Sequence, residues 1–216
     1  PAWFDAAKFA GGYDFAGPLY DASLDEPGST DVPTPDENPI DALATSPNSG
    51  HGTHVAGSAA GYGVDASGDT FRGDYATLTD VSDWEVGPGS APRAQLWSFK
   101  VFGDIGGSTD LTSLALDRAA DPDGDGDLSD RVDVVNMSLG GDGAPADDPD
   151  SLLVDELTKL GVLVTNSAGN AGDITDIGGA PGNAASALTV ANSVGSPVLD
   201  AVKVTAASDD ALVGDE

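Results

Sequence analysis

Apolar residues along this chain follow two rhythms, and between them the sequence turns polar, acidic and rich in glycine and proline. Alternating apolar and aromatic residues in "AQLWSFKVF", Ala94 to Phe102, predict a strand. The short apolar run "VDVVNM", Val132 to Met137, has the character of a buried parallel strand, and Val162 to Thr165 and Ala187 to Val194 read the same way. Between them the period lengthens. Ser108 to Ala120 predicts a helix capped at Ser108 or Thr109, with Leu111, Leu114, Ala115 and Ala119 on its inner stripe. A second helix is capped by Asp148, has Pro149 at its first position, stops at Gly161 and would bury Leu152, Leu153, Leu157 and Leu160. Strand, helix, strand, helix, strand in this order implies a parallel sheet with helices on its faces, whose ligands sit at the carboxyl ends of the strands.

The N-terminal half is less regular. Trp3 to Tyr20 reads as a strand broken by turns around Gly11 and Gly12. From Asp21 to Gly50 five prolines alternate with acidic residues and no basic residue occurs, which predicts a long exposed loop of the kind found at functional edges. "HGTHVAGSAAG", from His51, is a helix of small residues that opens on a histidine, and Asp65 to Arg93 is a polar surface stretch. A histidine in the first turn of a helix that packs closely beneath is well placed to present its imidazole to a substrate. His51 and His54 are the chain's only histidines, and their H-x-x-H spacing lacks the glutamate and third ligand of a zinc site.

Composition narrows the partners. Across 216 residues, 37 Asp plus Glu stand against 8 Lys plus Arg, a formal net charge of -29. Such a surface repels phosphates and anionic lipid, so neither nucleic acid nor membrane is an expected partner; it is best tolerated where salt screens it or cations bind. No cysteine is present, which excludes a disulfide framework and a thiol nucleophile. No apolar run is long enough to span a bilayer, and a chain opening on Pro1 without methionine is expected to continue upstream.

Three glycine-rich turns follow predicted strands: Gly103 to Gly107, Leu139 to Gly143 and Ala168 to Gly172. An Asn flanked by small residues, such as Asn170, can swing its amide into a cleft and donate to a developing oxyanion. The glycines after Ser138 let another backbone lie alongside, as an extended peptide would. Each turn alone is also what an ordinary strand-to-loop connection looks like. Separately, Asp121, Asp123, Asp125 and Asp127 alternate with Pro122, Gly124 and Gly126, the first half of an EF-hand-type calcium loop. Its twelfth position is Val132, so Asp130 or Asp133 would have to close the site, and a solvated acidic turn fits the same residues.

Taken in order, "NSGHGTHVAGSAAGYG", "LWSFKVFG", "DVVNMSLGG" and "VLVTNSAGNAG" resemble the histidine, substrate-strand and oxyanion segments of the subtilases, the subtilisin-like serine endopeptidases. The likeness runs from about Lys8, where "KFAGGYDFAG" looks like the segment following the catalytic Asp strand, to about Val194. It implies an α/β fold, a three-layer αβα sandwich with a mainly parallel sheet, present here as an incomplete domain. Carried over residue by residue, it makes His51 the general base, His54 a packing residue behind it, and Asn170 the oxyanion donor. Ser138, Leu139 and Gly140 would line the substrate backbone, Ser167, Ala168 and Gly169 would form another wall of the specificity pocket, and Gly107 would join the second substrate strand. The family's "D-[ST]-G" and "G-T-S-M-A" strings, which carry the triad Asp and Ser, are not in this sequence.

The resemblance therefore implies a central piece of a serine endopeptidase with a polypeptide substrate, inactive by itself, with a non-catalytic peptide-binding or calcium-stabilised structural domain as the alternative. "GGYDF" and "DPDGDGDLSDRVDVVNMSLG" are similar to secreted multidomain subtilases carrying an inserted protease-associated domain. On that footing residues 1–195 are part of the catalytic domain, 21–50 are an acidic insertion within it, 196–216 lead toward the inserted domain, and the protein is exported. Calcium would be structural, with no cofactor needed for the chemistry.

Overall fold

The computed structural model describes residues 5–42, 46, 49–172, 174 and 177–192. The segment 196–216 and the end of the strand predicted over 187–194 lie outside the described residues. Two parallel sheets result. In the first, β1 (Phe9–Asp14) pairs with β2 (Leu96–Lys100), bringing Gly12 opposite Ser98 and Asp14 opposite Lys100. Gly11 and Gly12 do not turn the chain as the sequence suggested; they lie inside β1. The Trp97 ring covers Gly11 so closely that a Cβ there would collide with it, and one on Gly12 would collide with the Ser98 carbonyl oxygen. These glycines make room for a neighbouring strand and its tryptophan.

In the second sheet β3 (Val134–Met137), β4 (Leu163–Ser167) and β5 (Leu188–Val190) run parallel in that order, with Met137 opposite Asn166 and Ser167 opposite Val190. All four predicted strands from residue 94 onward are present; β2, β3 and β5 are shorter than read from the sequence, and β4 starts one residue later and runs on to Ser167. Between β3 and β4 runs α3 (Pro149–Lys159), bounded as its sequence demands. The Asp148 carboxylate accepts from the Asp150 amide at 3.0 Å, Pro149 opens the helix, and Gly161 at φ 93° closes it. There Val162 N–H bonds the Leu157 carbonyl and Gly161 N–H that of Thr158, the paired bonds of a Schellman stop.

Two helix faces differ from expectation. In α2 (Thr112–Ala120) Leu116 and Ala119 are buried while Leu114 points to solvent; in α3 Ser151, Val154 and Leu157 are buried while Leu152 and Leu160 are exposed. The stripe on α3 follows three-residue spacing because α2 packs against it there, and the Ser151 hydroxyl buries by donating to Asn183 Oδ1 at 2.6 Å. α2 also starts later than predicted, since the Thr109 hydroxyl accepts from the Leu111 amide and forms a turn before the helix. Leu116, Met137, Val154, Leu157, Val162, Val164 and Ala184 make one core; Ala16, Tyr20, Val101 and Leu111 make a second, and Leu139 touches both.

One continuous sheet was expected, but β2 and β3 do not pair. A cavity of about 120 Å³ separates them, walled by Phe99 and Val101 on one side, Val135 and Met137 on the other, and floored by α2. Among the described residues the second sheet is covered on one face only. Its other face leaves Val134 and its partner Leu163, and Leu188 and Val190 opposite Thr165 and Ser167, about half exposed. The domain is thus an incomplete layered α/β structure among the described residues. Among its described residues the loop 21–50 carries only the isolated bridges Tyr20 to Thr30 and Asp14 to Asp36. The stretch 65–93 is more than surface: Phe71 meets Tyr75 and Trp84 at ring centroid distances of 5.0 and 5.1 Å. No described helix is long and apolar enough to cross a membrane.

Candidate active site

The turns after β3 and β4 emerge side by side because their strands are neighbours in one parallel sheet. The Leu139 carbonyl is their meeting point: the Ser167 hydroxyl donates to it at 3.1 Å and the Asn166 side-chain amide at 3.3 Å. This seam ties Leu139, between Ser138 and Gly140, to Asn166 and Ser167, just before Ala168 and Gly169. Asn166 itself is buried and gives its amide a second acceptor, the Ser167 carbonyl at 2.8 Å, while among the described residues its Oδ1 has no partner.

Behind the seam the wall is stitched again. Gly141 N–H bonds the Ala180 carbonyl at 2.9 Å and Gly143 N–H that of Ile177 at 3.1 Å. Asn183 donates to the carbonyls of Ala144 and Pro145 and accepts from Ser151 on α3. Gly179 must be glycine, because a Cβ would collide with the Gly141 carbonyl. The outer rim stays open: Ser138, Gly140, Ala168, Gly169 and Asn170 are exposed, and among the described residues the Asn170 side-chain amide makes no hydrogen bond. Backbone edges and a free amide on a rigid wall can grip an extended peptide and donate to charge on a carbonyl oxygen. Gly107 lies apart, exposed beyond β2 at the other sheet, where Gly103 and Gly106 pack against Tyr20 and Asp21 and leave Gly107 in open space.

His51 is the first residue of α1 (His51–Ala60), and both it and His54 are exposed. The helix's far end is held by residues 89–91, whose amides bond the carbonyls of Gly61, Ser58 and Ala59. Small residues make this close approach possible: a Cβ on Gly89 would stand 2.6 Å from the Gly57 carbonyl oxygen. At the near end Gly50, in the left-handed conformation at φ 91°, offers no capping side chain. The Asp41 carboxylate fills that role, accepting from Gly50 N–H at 3.1 Å, Thr53 N–H at 3.0 Å and the Thr53 hydroxyl at 2.6 Å. Partial desolvation pushes its carboxyl up, but the Thr53 hydroxyl and the amides of Thr53, Gly50 and Ala42 outweigh this and hold it below the ordinary carboxylate range. In the sequence Asp41 lies within the acidic loop 21–50, and its one local signal is Gly50, which has no side chain to cap the helix.

No carboxylate or hydroxyl among the described residues hydrogen-bonds His51. Asp14, the buried acid nearest in sequence to where a triad partner would be sought, is committed elsewhere. It accepts from the amides of Ala16 and Gly17 and faces Lys100 Nζ at 3.4 Å. In the acidic loop, carboxylate oxygens of Asp121, Asp123 and Asp130 lie within 4.8 Å of one another. Asp130 therefore takes a place in the cluster. Asp125 and Asp127 stand outside this group and accept turn amides from Asp127 and Ser129. Burial pushes the Asp130 carboxyl up, helped by the charges of Asp123, Asp121 and Asp125.

Comparison with known proteins identifies the family. The profile of the subtilase family matches residues 13–203. Pyrolysin from Pyrococcus furiosus is 36% identical over 158 residues, covering 65% of this chain and 11% of its own. Subtilisin from Bacillus sp. strain TA39 is 38% identical over 146 residues, covering 66% of this chain and 29% of its own, so the chain spans well under a third of these relatives. Among solved structures, sphericase superposes with a TM-score of 0.51 at 30% identity, covering 73% of this chain and 43% of that one. A protease from Pseudoalteromonas arctica PAMC 21717 gives 0.54 at 27% identity, covering 85% and 50%. On its sequence, its parallel α/β architecture and the family match across most of its length, this chain belongs to the subtilase family.

Proposed function

We propose that residues 1–216 supply the base, the oxyanion donor and the substrate walls of a serine endopeptidase. The observation that carries the reading is the locked pair of turns after β3 and β4, whose open rim presents Ser138 to Gly140, Ser167 to Gly169 and the exposed Asn170. In this role His51 takes the proton of a serine hydroxyl as its oxygen attacks the scissile carbonyl. Asn170 donates to the oxyanion that forms, and His51 returns the proton to the departing amine; water then releases the acyl-enzyme by the same base. The serine, and the carboxylate that orients His51, come from segments carrying the family's "G-T-S-M-A" and "D-[ST]-G" strings.

The reading extends to the rest of the protein. Residues 1–195 form part of the catalytic domain, 196–216 approach an inserted protease-associated domain, and the enzyme is exported. Asp121, Asp123 and Asp130 hold calcium, supported by three carboxylates crowded within 4.8 Å. A direct test compares the full-length protein with residues 1–216 alone on a chromogenic peptide. Serine-reagent-sensitive turnover by the former, lost in His51→Ala and absent from the latter, is expected. Turnover by 1–216 alone, or full activity in His51→Ala, contradicts the assignment.

A further inference from the structure

We infer that Asp41 is a positioning residue for His51: one carboxylate, reaching from ten residues upstream, fixes the backbone on both sides of the imidazole. This inference rests on His51 being the base. The first turn of any helix leaves amide donors without intrahelical partners, and a Ser, Thr, Asp or Asn at the cap normally takes them. The 3-10 turn at Tyr75 and α3 here do this locally, through Asp74 and Asp148. α1 does not, because Gly50 occupies its cap in the left-handed conformation with no side chain to offer.

The atom that substitutes is a single oxygen. Asp41 Oδ2 accepts from Gly50 N–H, immediately before His51, and from both the amide and the hydroxyl of Thr53, two residues after it. It also lies 4.0 Å from the place a Cβ on Gly52 would occupy, so the residue between His51 and Thr53 is packed against the same carboxylate. Asp41 Oδ1 is held in turn by the Ala42 amide at 2.9 Å. Gly50 and Gly52 have little conformational preference of their own, so without this clamp the backbone at His51 would be set by flexible residues on either side. With it, the direction in which the imidazole leaves the helix is fixed. The carboxylate also places negative charge at a helix N-terminus, which offsets the local positive end of the helix dipole facing an imidazole that must accept a proton. A general base needs its ring held within hydrogen-bond reach of one hydroxyl, so orientation is where this residue acts.

With only two histidines in the chain, NMR reads the effect directly. In residues 1–216, Asp41→Ala is expected to shift and broaden the ring signals of His51 while leaving those of His54, and to raise hydrogen exchange at the Gly50 and Thr53 amides about tenfold. Asp41→Asn, which keeps one acceptor oxygen, restores part of the sharp His51 signal. Thr53→Val, a smaller change that removes one donor and keeps the shape, gives an intermediate result and serves if Asp41→Ala does not fold. In the full-length enzyme Asp41→Ala lowers kcat with KM nearly unchanged. Unchanged His51 signals in both Asp41→Ala and Thr53→Val overturn the inference. If instead the signals respond but His51→Ala keeps full activity, the clamp stands and the assignment of His51 as base fails.

Discussion

The Leu139 carbonyl makes a quantitative test possible, because two donors of different standing share it. Ser167→Ala removes one neutral hydrogen bond of 3.1 Å and leaves the carbonyl bonded to Asn166. Its expected loss is about 1 kcal/mol. Asn166→Ala removes two bonds, to Leu139 and Ser167, which by the same scale is about 2 kcal/mol. It also removes a buried Oδ1 that has no partner, and relief of such a group returns roughly 1–3 kcal/mol. Asn166→Ala should therefore be no more harmful than Ser167→Ala, although it deletes twice as many bonds. In the double variant the carbonyl loses both donors, so the combined loss should exceed the sum of the two by about 1 kcal/mol. Urea midpoints at constant slope measure all three, and hydrogen exchange at Gly141 reports whether the wall loosens. The reasoning is refuted by strict additivity, within about 0.5 kcal/mol, or by an Asn166→Ala loss that exceeds that of Ser167→Ala by more than about 1 kcal/mol.

Gly11→Ala should destabilise by about 1–3 kcal/mol through collision with the Trp97 ring, seen in thermal unfolding, and Trp97→Ala should remove most of that penalty. Asp155 is held below the ordinary carboxylate range by the Ser186 hydroxyl and amide, so its contribution is present above about pH 4 and lost as pH falls through the lowered value. Asp155→Asn should flatten that part of the stability profile. With a net charge of -29, the melting temperature should rise between low salt and 1 M NaCl, as the screening length shrinks from about 30 Å at 0.01 M to about 3 Å; a flat response would contradict self-repulsion as a leading strain. Calcium at low ionic strength should give titration heat that Asp130→Asn abolishes, and an indistinguishable variant removes the proposed site.

Local signals were legible in the sequence, and contacts between distant residues were not. The limits of α3 follow from Asp148, Pro149 and Gly161, each acting on its own neighbours. The turns after β3 and β4 were found because small residues after apolar runs mark strand ends. Leu114 and Leu152 were placed inside on hydrophobicity, but the inner faces were decided by how α2 and α3 meet, which favoured Leu116 and Val154. Gly11 and Gly12 read as turn residues because the Trp97 ring and the Ser98 carbonyl that demand them lie more than eighty positions away. Asp41 was passed over for the same reason: its partners are nine and twelve residues downstream, beyond any local capping pattern. The separation of β2 from β3 left no trace in residues that each read as an ordinary strand.

Asn170 carries the central claim, that this wall stabilises an oxyanion during peptide cleavage. The decisive measurement is the steady-state kinetics of Asn170→Ala in the full-length protein on a chromogenic peptide. One oxyanion donor is worth about 10²–10³ in kcat, a magnitude measured on subtilisin itself and not worked out from this structure. The account predicts a loss of that order with KM nearly unchanged; an unaltered kcat, or a loss confined to KM, would contradict it.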